Sequence, residues 1–166
     1  MPFLQRKIAG LLLLLFLAAT LHAQVQLKVL VFNVQHGYGT DNVHSTTRQV
    51  QYLIAQKPDV VVMNEVSKGD ISGYLQQLKV QSGVAWNSVY FDDMPGKNEG
   101  NLIVTRLPTT SSAAHQYPTT YAAGINMTMS AVEATIAGYC VFGTHLAWKG
   151  TVGAQARATQ VNDLLL

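Results

Sequence analysis

Three polar residues each close an apolar run. Asn33 ends Leu27-Lys-Val-Leu-Val-Phe-Asn-Val34, Glu65 lies in Pro58-Asp-Val-Val-Val-Met-Asn-Glu-Val66, and His145 lies in Val141-Phe-Gly-Thr-His-Leu146. An amide oxygen, a carboxylate and an imidazole at strand ends are suitable parts for a divalent-metal phosphoesterase. Glu65 and Asn33 would hold an all-oxygen cation such as Mg²⁺ or Mn²⁺, and the lack of a Cys/His cluster argues against zinc. Each residue also has a plainer account. Glu65 could pair with Arg48 or Lys68, Asn33 could be a turn residue before His36-Gly37, and His145 could be a hydrogen-bonded core histidine. His36 and Tyr38, just past Asn33, could line the same pocket. Glu99 could support His145 as its carboxylate partner, or be a solvated loop acid. Arg48 and Arg106 read as structural bridges to carboxylates. His44, His115 and Asp92-Asp93 read as surface groups.

The elements that must position these side chains follow from periodicity. Leu27 to Val34 reads as a strand buried on both faces. Ser45 or Thr46 can cap a helix running to about Gln56, with Val50, Leu53 and Ile54 at helical spacing. Val60 to Val66 is a second buried strand after Pro58-Asp59. Asp70 can cap a helix with Ile71, Tyr74, Leu75 and Leu78 on one face. Trp86 to Phe91 and Asn101 to Thr105 are further strands. Ile125 to Ile136 and Tyr139 to Thr144 flank Ala137-Gly138, which reads as a hairpin turn. Asn126-Met-Thr128 spells a glycosylation site inside that first hairpin strand. Ala154, Ala158, Val161 and Leu165 mark a last helix. Strand, helix, strand at the start implies a parallel pair with a right-handed crossover, so the fold class is α/β (α+β) with mixed sheets. Asn33 and Glu65 then fall at the carboxyl ends of neighbouring parallel strands, about 5 Å apart, close enough to share one cation.

The first 23 residues read differently. Arg6 and Lys7 precede the apolar run Ile8 to Leu21, and Leu21-His-Ala23 suits cleavage. That is the pattern of a secretory signal peptide, too short for the ~20 residues of a membrane span. The expectation is a secreted or periplasmic protein with a mature chain at 24–166, with no stable membrane span and no specific protein partner. Removing Arg6 and Lys7 from 11 basic residues leaves 9 against 9 acidic, a net charge of zero. No basic run remains, so the footprint of a tight nucleic-acid binder is missing. Cys140 is the single cysteine; it cannot form an internal disulfide and reads as a buried, inert thiol.

Five blocks in order resemble the amino-terminal half of the endonuclease/exonuclease/phosphatase superfamily, the deoxyribonuclease-I-like fold. They are Val31-Phe-Asn33, Arg48 with Pro58 to Val66, Gly100-Asn-Leu-Ile-Val-Thr-Arg-Leu-Pro108, Val141 to Leu146, and Arg157, Gln160 and Leu164. Asn64 stands where that family usually has Gln. The resemblance implies part of a four-layer α/β/β/α sandwich whose carboxyl-terminal half is missing, with the Gly-Asp-x-Asn and Ser-Asp-His blocks absent. A half-sandwich is expected to leave an apolar sheet face and an edge strand uncovered. The resemblance implies His145 and Glu65 as catalytic residues, Asn33, His36 and Asn101 as substrate-binding, and Glu65 and Asn33 as ligands of Mg²⁺ or Mn²⁺. The implied activity is exported, metal-dependent phosphoester hydrolysis, with nucleic acid the leading substrate and a phospholipid head group second. A truncated chain of this kind is expected to show no turnover. The competing expectation is a non-catalytic remnant or interaction module.

Overall fold

Unbroken apolar runs go to the centre and polar ones to the rim. The computed structural model describes residues 26–93, 96, 98–117, 129–146 and 150–165. It holds strands β1 (Val29–Asn33), β2 (Val60–Ser67), β3 (Asn87–Asp92), β4 (Glu99–Thr105), β5 (Thr109–Gln116), β6 (Ser130–Ile136) and β7 (Tyr139–Thr144). The helices are α1 (Thr46–Ala55), α2 (Ile71–Ser82) and α3 (Gly150–Leu165). One sheet has the order β1-β2-β4-β3, with only the β1–β2 pair parallel; the other is β5-β6-β7, wholly antiparallel.

Local chemistry sets the helix ends. Ser45, extended at φ −162°, accepts the Arg48 amide N–H at 3.3 Å and starts α1. Asp70 precedes α2 but does not cap it, because its carboxylate goes to His44 instead. Gly83, at φ 75°, ends α2 in the left-handed conformation. The Tyr74 hydroxyl donates to Gln49 Oε1 and ties the two helices together inside the core.

Alternation along β2 and β4 makes two apolar faces. Val61, Met63, Leu102 and Val104 pack under Val50, Leu53, Tyr74 and Leu78 of the helices. Val60, Val62 and Ile103 meet Val132, Ala134, Ile136 and Val141 of the second sheet. A Cβ on Gly143 would lie 2.8 Å from Val62 Cγ1, so a glycine is needed where the sheets approach. On the outer side of β6, Ala131 packs with Met129, Tyr117 and Ala156 of α3. Helix, sheet, sheet and helix are therefore layered in the expected order.

Several expectations need correction. β1 is not buried on both faces: Val29 and Val31 are 44% and 67% exposed. Among the described residues it is an edge strand, and no described strand of the second sheet lies over that inner face. The apolar face of the first sheet is otherwise covered, through β2 and β4. The polar strand β5, Thr-Thr-Ser-Ser-Ala-Ala-His-Gln, has no apolar alternation to reveal it; it forms as the edge partner of β6. The α3 stripe is Ala156 and Gln160, one residue-face away from Ala154, Ala158 and Val161, which are exposed. Cys140 is exposed, not buried, and donates to Glu133 Oε1 at 3.1 Å. The hairpin turn at Ala137 (φ 50°) and Gly138 (φ 84°) is as expected. The signal-peptide pattern at 1–23, Asn126-Met-Thr128 and the first residues of the expected strand from Ile125 lie outside the described residues. Among the described residues no helix is long and apolar enough to cross a membrane.

Candidate active site

A β-bulge aims the central carboxylate. Met63 pairs with Leu102 and Val66 with Gly100, so Asn64 and Glu65 together face the single Asn101. Glu65 takes φ 56°, the left-handed region that a non-glycine residue enters at a cost. A regular strand would alternate Asn64 and Glu65 across the sheet; the extra residue re-aims the Glu65 carboxylate toward two histidines. His145 Nε2 is 3.6 Å from Glu65 Oε1, and His36 Nε2 is 3.9 Å from Glu65 Oε2. His36 reaches this position from a second left-handed turn, with Gln35, His36 and Gly37 at φ 47°, 54° and 83°. His36 Nε2 also lies 3.8 Å from Glu99 Oε1.

A buried polar chain runs behind these groups. Asn64 Nδ2 donates to Asn101 Oδ1 at 2.6 Å, and Asn101 Nδ2 donates to Asp93 Oδ1 at 2.5 Å and to the Ser130 carbonyl at 3.1 Å. Ser130 Oγ donates to Asp93 Oδ1 at 3.1 Å, while Thr144 Oγ1 donates to the Ser130 carbonyl and shares a hydrogen bond with the Tyr117 hydroxyl. The chain links β2, β4 and the residue after β3 to β6 and β7, so both sheets hold one cluster. Burial pushes the Asp93 carboxyl up to about 7, against the hydrogen bonds from Ser130 and Asn101 that favour its charged form.

The site brings together Glu65, His145 and His36 of the expected residues. Asn101 is corrected: it is fully buried with its amide spent on Asn64, Asp93 and Ser130, so it supports the site and cannot reach a substrate. Asn33 ends β1 beside Asn64, and its Oδ1 accepts the Gln35 amide N–H at 2.9 Å, which braces the His36 turn. Its plainer reading as a turn residue is thus realised, with one lone pair of that oxygen still unspent. The ion-pair reading of Glu65 is not realised. Arg48 grips Asp41 through both guanidinium nitrogens at 2.7 and 3.0 Å, and Lys68 stands 3.6 Å from Asp92. Arg106 bridges to Asp59, the structural role expected of it. Glu99 faces His36, not His145.

All four residues set aside as surface groups have partners, Asp92 through Lys68 and the Tyr90 hydroxyl. His44 Nε2 lies 2.9 Å from Asp70 Oδ2, with Tyr38 edge-on to its ring. His115 meets Glu133 at 2.7 Å. Asp93, 4% exposed, sits inside the site. No apolar alternation marks Asp93, because it follows β3 in a turn; only its neighbour Asp92 stays near solvent.

Whether a divalent cation fits is decided by the donors. Among the described residues Glu65 commits neither oxygen to a hydrogen bond, and the Asn33 amide oxygen retains a lone pair, so the donors are hard oxygens as Mg²⁺ or Mn²⁺ prefer. Among the described residues no three His, Cys, Asp or Glu side chains are arranged to hold a metal by themselves. The fit is therefore to an ion that keeps most of its water, bound by one carboxylate and an amide oxygen.

Known structures share this fold. No curated protein matches the chain. Among solved structures, an endonuclease/exonuclease/phosphatase from Beutenbergia cavernae DSM 12333 superposes with a TM-score of 0.68 at 25% identity, over 84% of this chain and 43% of that one. An endonuclease/exonuclease/phosphatase family protein from Leptotrichia buccalis C-1013-b gives 0.64 at 14% identity, over 84% and 61%. A mannosyl-6-phosphatase from Bacteroides thetaiotaomicron VPI-5482 gives 0.62 at 13%, over 84% and 59%. The chain thus spans roughly half the length of these structures. Residues 30–165 match the family model described as Endonuclease/Exonuclease/phosphatase family, a span that holds β1 with Asn33, the Glu65 bulge and the His145 strand end, and the chain belongs to that family.

Proposed function

We propose that this chain carries the cation-binding and phosphate-facing half of an exported phosphoester hydrolase. The observation that carries the reading is the bulge at Asn64–Glu65, which brings a carboxylate with no hydrogen bond among the described residues within 3.6 Å of the His145 imidazole. A bound Mg²⁺ or Mn²⁺ would neutralise charge on the phosphoryl and leaving oxygens. Glu65 would hold that ion, and the Asn33 amide oxygen would be its second protein donor. His145, at the mouth of the same cluster, takes a proton at Nε2 and, as the imidazolium, donates a hydrogen bond from Nε2 to a phosphoryl oxygen, strongest when that oxygen gains charge. His36 borders the substrate side, held there by its left-handed turn. Asn101 fixes the bulge from behind. Export rests on the charged, apolar and small-residue order of residues 1–23.

For substrate we propose a phosphodiester, nucleic acid before a phospholipid head group. Without Arg6 and Lys7, the 11 basic residues fall to 9 against 9 acidic, which supplies no electrostatic preference for long nucleic acid, so short or small phosphodiesters fit best. The Bacteroides neighbour is named for a sugar phosphate, which keeps phosphomonoesters as a comparison substrate.

Thermal unfolding with Mg²⁺ and Mn²⁺ tests the core of the reading. Either ion at a hundred times its dissociation constant should stabilise the protein by about 2.7 kcal/mol, and Glu65→Gln should remove that effect. Equal stabilisation of the variant would place the ion elsewhere. No stabilisation of the parent by either ion would favour a non-catalytic interaction module. In protein that turns over a generic aryl phosphodiester, Glu65→Gln should lower the rate by about 100-fold or more.

A further inference from the structure

The buried polar chain ends in an oxygen with nothing bonded to it. Asp93 is 4% exposed, and its Oδ2 has no hydrogen-bond partner among the described residues. Its Oδ1 takes two hydrogen bonds, from Asn101 Nδ2 and Ser130 Oγ, and its backbone N–H donates to the Glu99 carbonyl at 2.9 Å. The carboxylate is therefore locked in rotation, and Oδ2 serves what lies in front of it. Among the described residues that is His145 Nδ1, at 4.0 Å. The other ring nitrogen, Nε2, faces Glu65 at 3.6 Å. Neither approach is yet a hydrogen bond, a common state of such pairs before substrate arrives.

We infer that Asp93 is the positioning residue of His145. Its free Oδ2 accepts the Nδ1 proton, fixes that tautomer, and keeps Nε2 directed at the Glu65 edge where a phosphoryl oxygen would sit. The inference rests on the reading of the site given above. Glu99, the carboxylate that the sequence offers for this role, is turned toward His36 at 3.8 Å. A carboxylate with a purely structural duty would satisfy both oxygens, since an unmatched buried one is costly. Here the cost is retained on the one oxygen that looks at the histidine. The backbone of β7 is fixed by Thr144, whose hydroxyl joins Ser130 and Tyr117. Among the described residues the imidazole has no hydrogen bond, so its orientation needs a partner of this kind.

The ¹⁵N spectrum of His145 in the full chain decides this, recorded where the imidazole is neutral. The expected state is Nδ1–H with a bare Nε2. A wild-type spectrum of the Nε2–H tautomer overturns the inference without any variant. In Asp93→Asn the amide group can point its own N–H at Nδ1, so the population should move to Nε2–H. An unchanged tautomer in a folded Asp93→Asn protein also overturns it. Neither readout needs metal or turnover, so the tautomer result and the hydrolase reading fail separately. In protein that turns over, Asp93→Asn should lower kcat by about tenfold or more and leave KM nearly unchanged. A loss confined to KM would contradict the assignment.

Discussion

Ionising Asp93 works against the fold. In an unfolded chain its carboxyl loses its proton near 3.8, whereas burial in the folded chain pushes it up to about 7. Between those values the folded protein holds more protons than the unfolded one, so this group's contribution to stability falls as pH rises and levels off above 7. The effect is bounded by about 4 kcal/mol. Asp93→Asn removes it. Calorimetry should show the variant melting above the parent at pH 8 and the two converging near pH 4. A variant less stable than the parent at pH 8 would mean that the hydrogen bonds from Asn101 and Ser130 need a charged acceptor more than burial opposes one. Activity and stability then pull apart at this residue, as they commonly do where a site is built on an unfavourable group.

At the scale of elements, two left-handed segments hold the site. The Glu65 bulge stores strain that glycine would not. Glu65→Gly is expected to stabilise the fold by about 1 kcal/mol while abolishing stabilisation by Mg²⁺ or Mn²⁺, which melting curves with and without the ion would report together. Lower stability in the absence of metal would show that the Glu65 side chain contributes packing beyond its charge. The turn at Gln35–Gly37 depends on glycine for a second reason. Gly37 sits at φ 83°, and an added Cβ would lie 2.5 Å from His44 Nε2, which is itself held by Asp70. Gly37→Ala should cost about 1–3 kcal/mol and displace His36, visible in melting temperature and in the His36 proton resonances. The free edge at β1 (Val29–Asn33) follows from topology: only β2 (Val60–Ser67) pairs with it among the described residues.

For the whole molecule the two sheets are one cooperative unit, because the site chain and the apolar interface both cross between them. Ile103 on β4 (Glu99–Thr105) is fully buried in that interface, with Val132 and Ile136 of β6 (Ser130–Ile136) among the core residues facing it. Ile103→Ala is expected to cost about 2–5 kcal/mol and to keep a single unfolding transition. Circular dichroism and Trp86 fluorescence should give coincident curves, since Trp86 belongs to the helix-side core of the same sheet. Two separated transitions would show that the β5–β7 sheet unfolds independently.

The sequence by itself determined what local chemistry controls. Apolar runs bounded by Pro, Gly and polar residues placed β2, β4, β7 and the hairpin turn at Ala137-Gly138. Ser45 set the start of α1 (Thr46–Ala55), and five ordered blocks carried the family. It also singled out Glu65 and His145, since each closes an apolar run, and the structure places them 3.6 Å apart. Tertiary structure decided what depends on neighbours distant in the chain. β5 (Thr109–Gln116) is a strand because β6 offers it a ladder, not because its own residues alternate. Val29 and Val31 are exposed because no described strand covers that edge, and the buried stripe of α3 (Gly150–Leu165) is fixed by the surface it meets. Asp93 became a buried partner of His145 through pairing across 37 residues to Ser130 and the approach of a second sheet. No local pattern encodes that: a carboxylate's burial and free lone pair are properties of what surrounds it, and here its surroundings come from three strands.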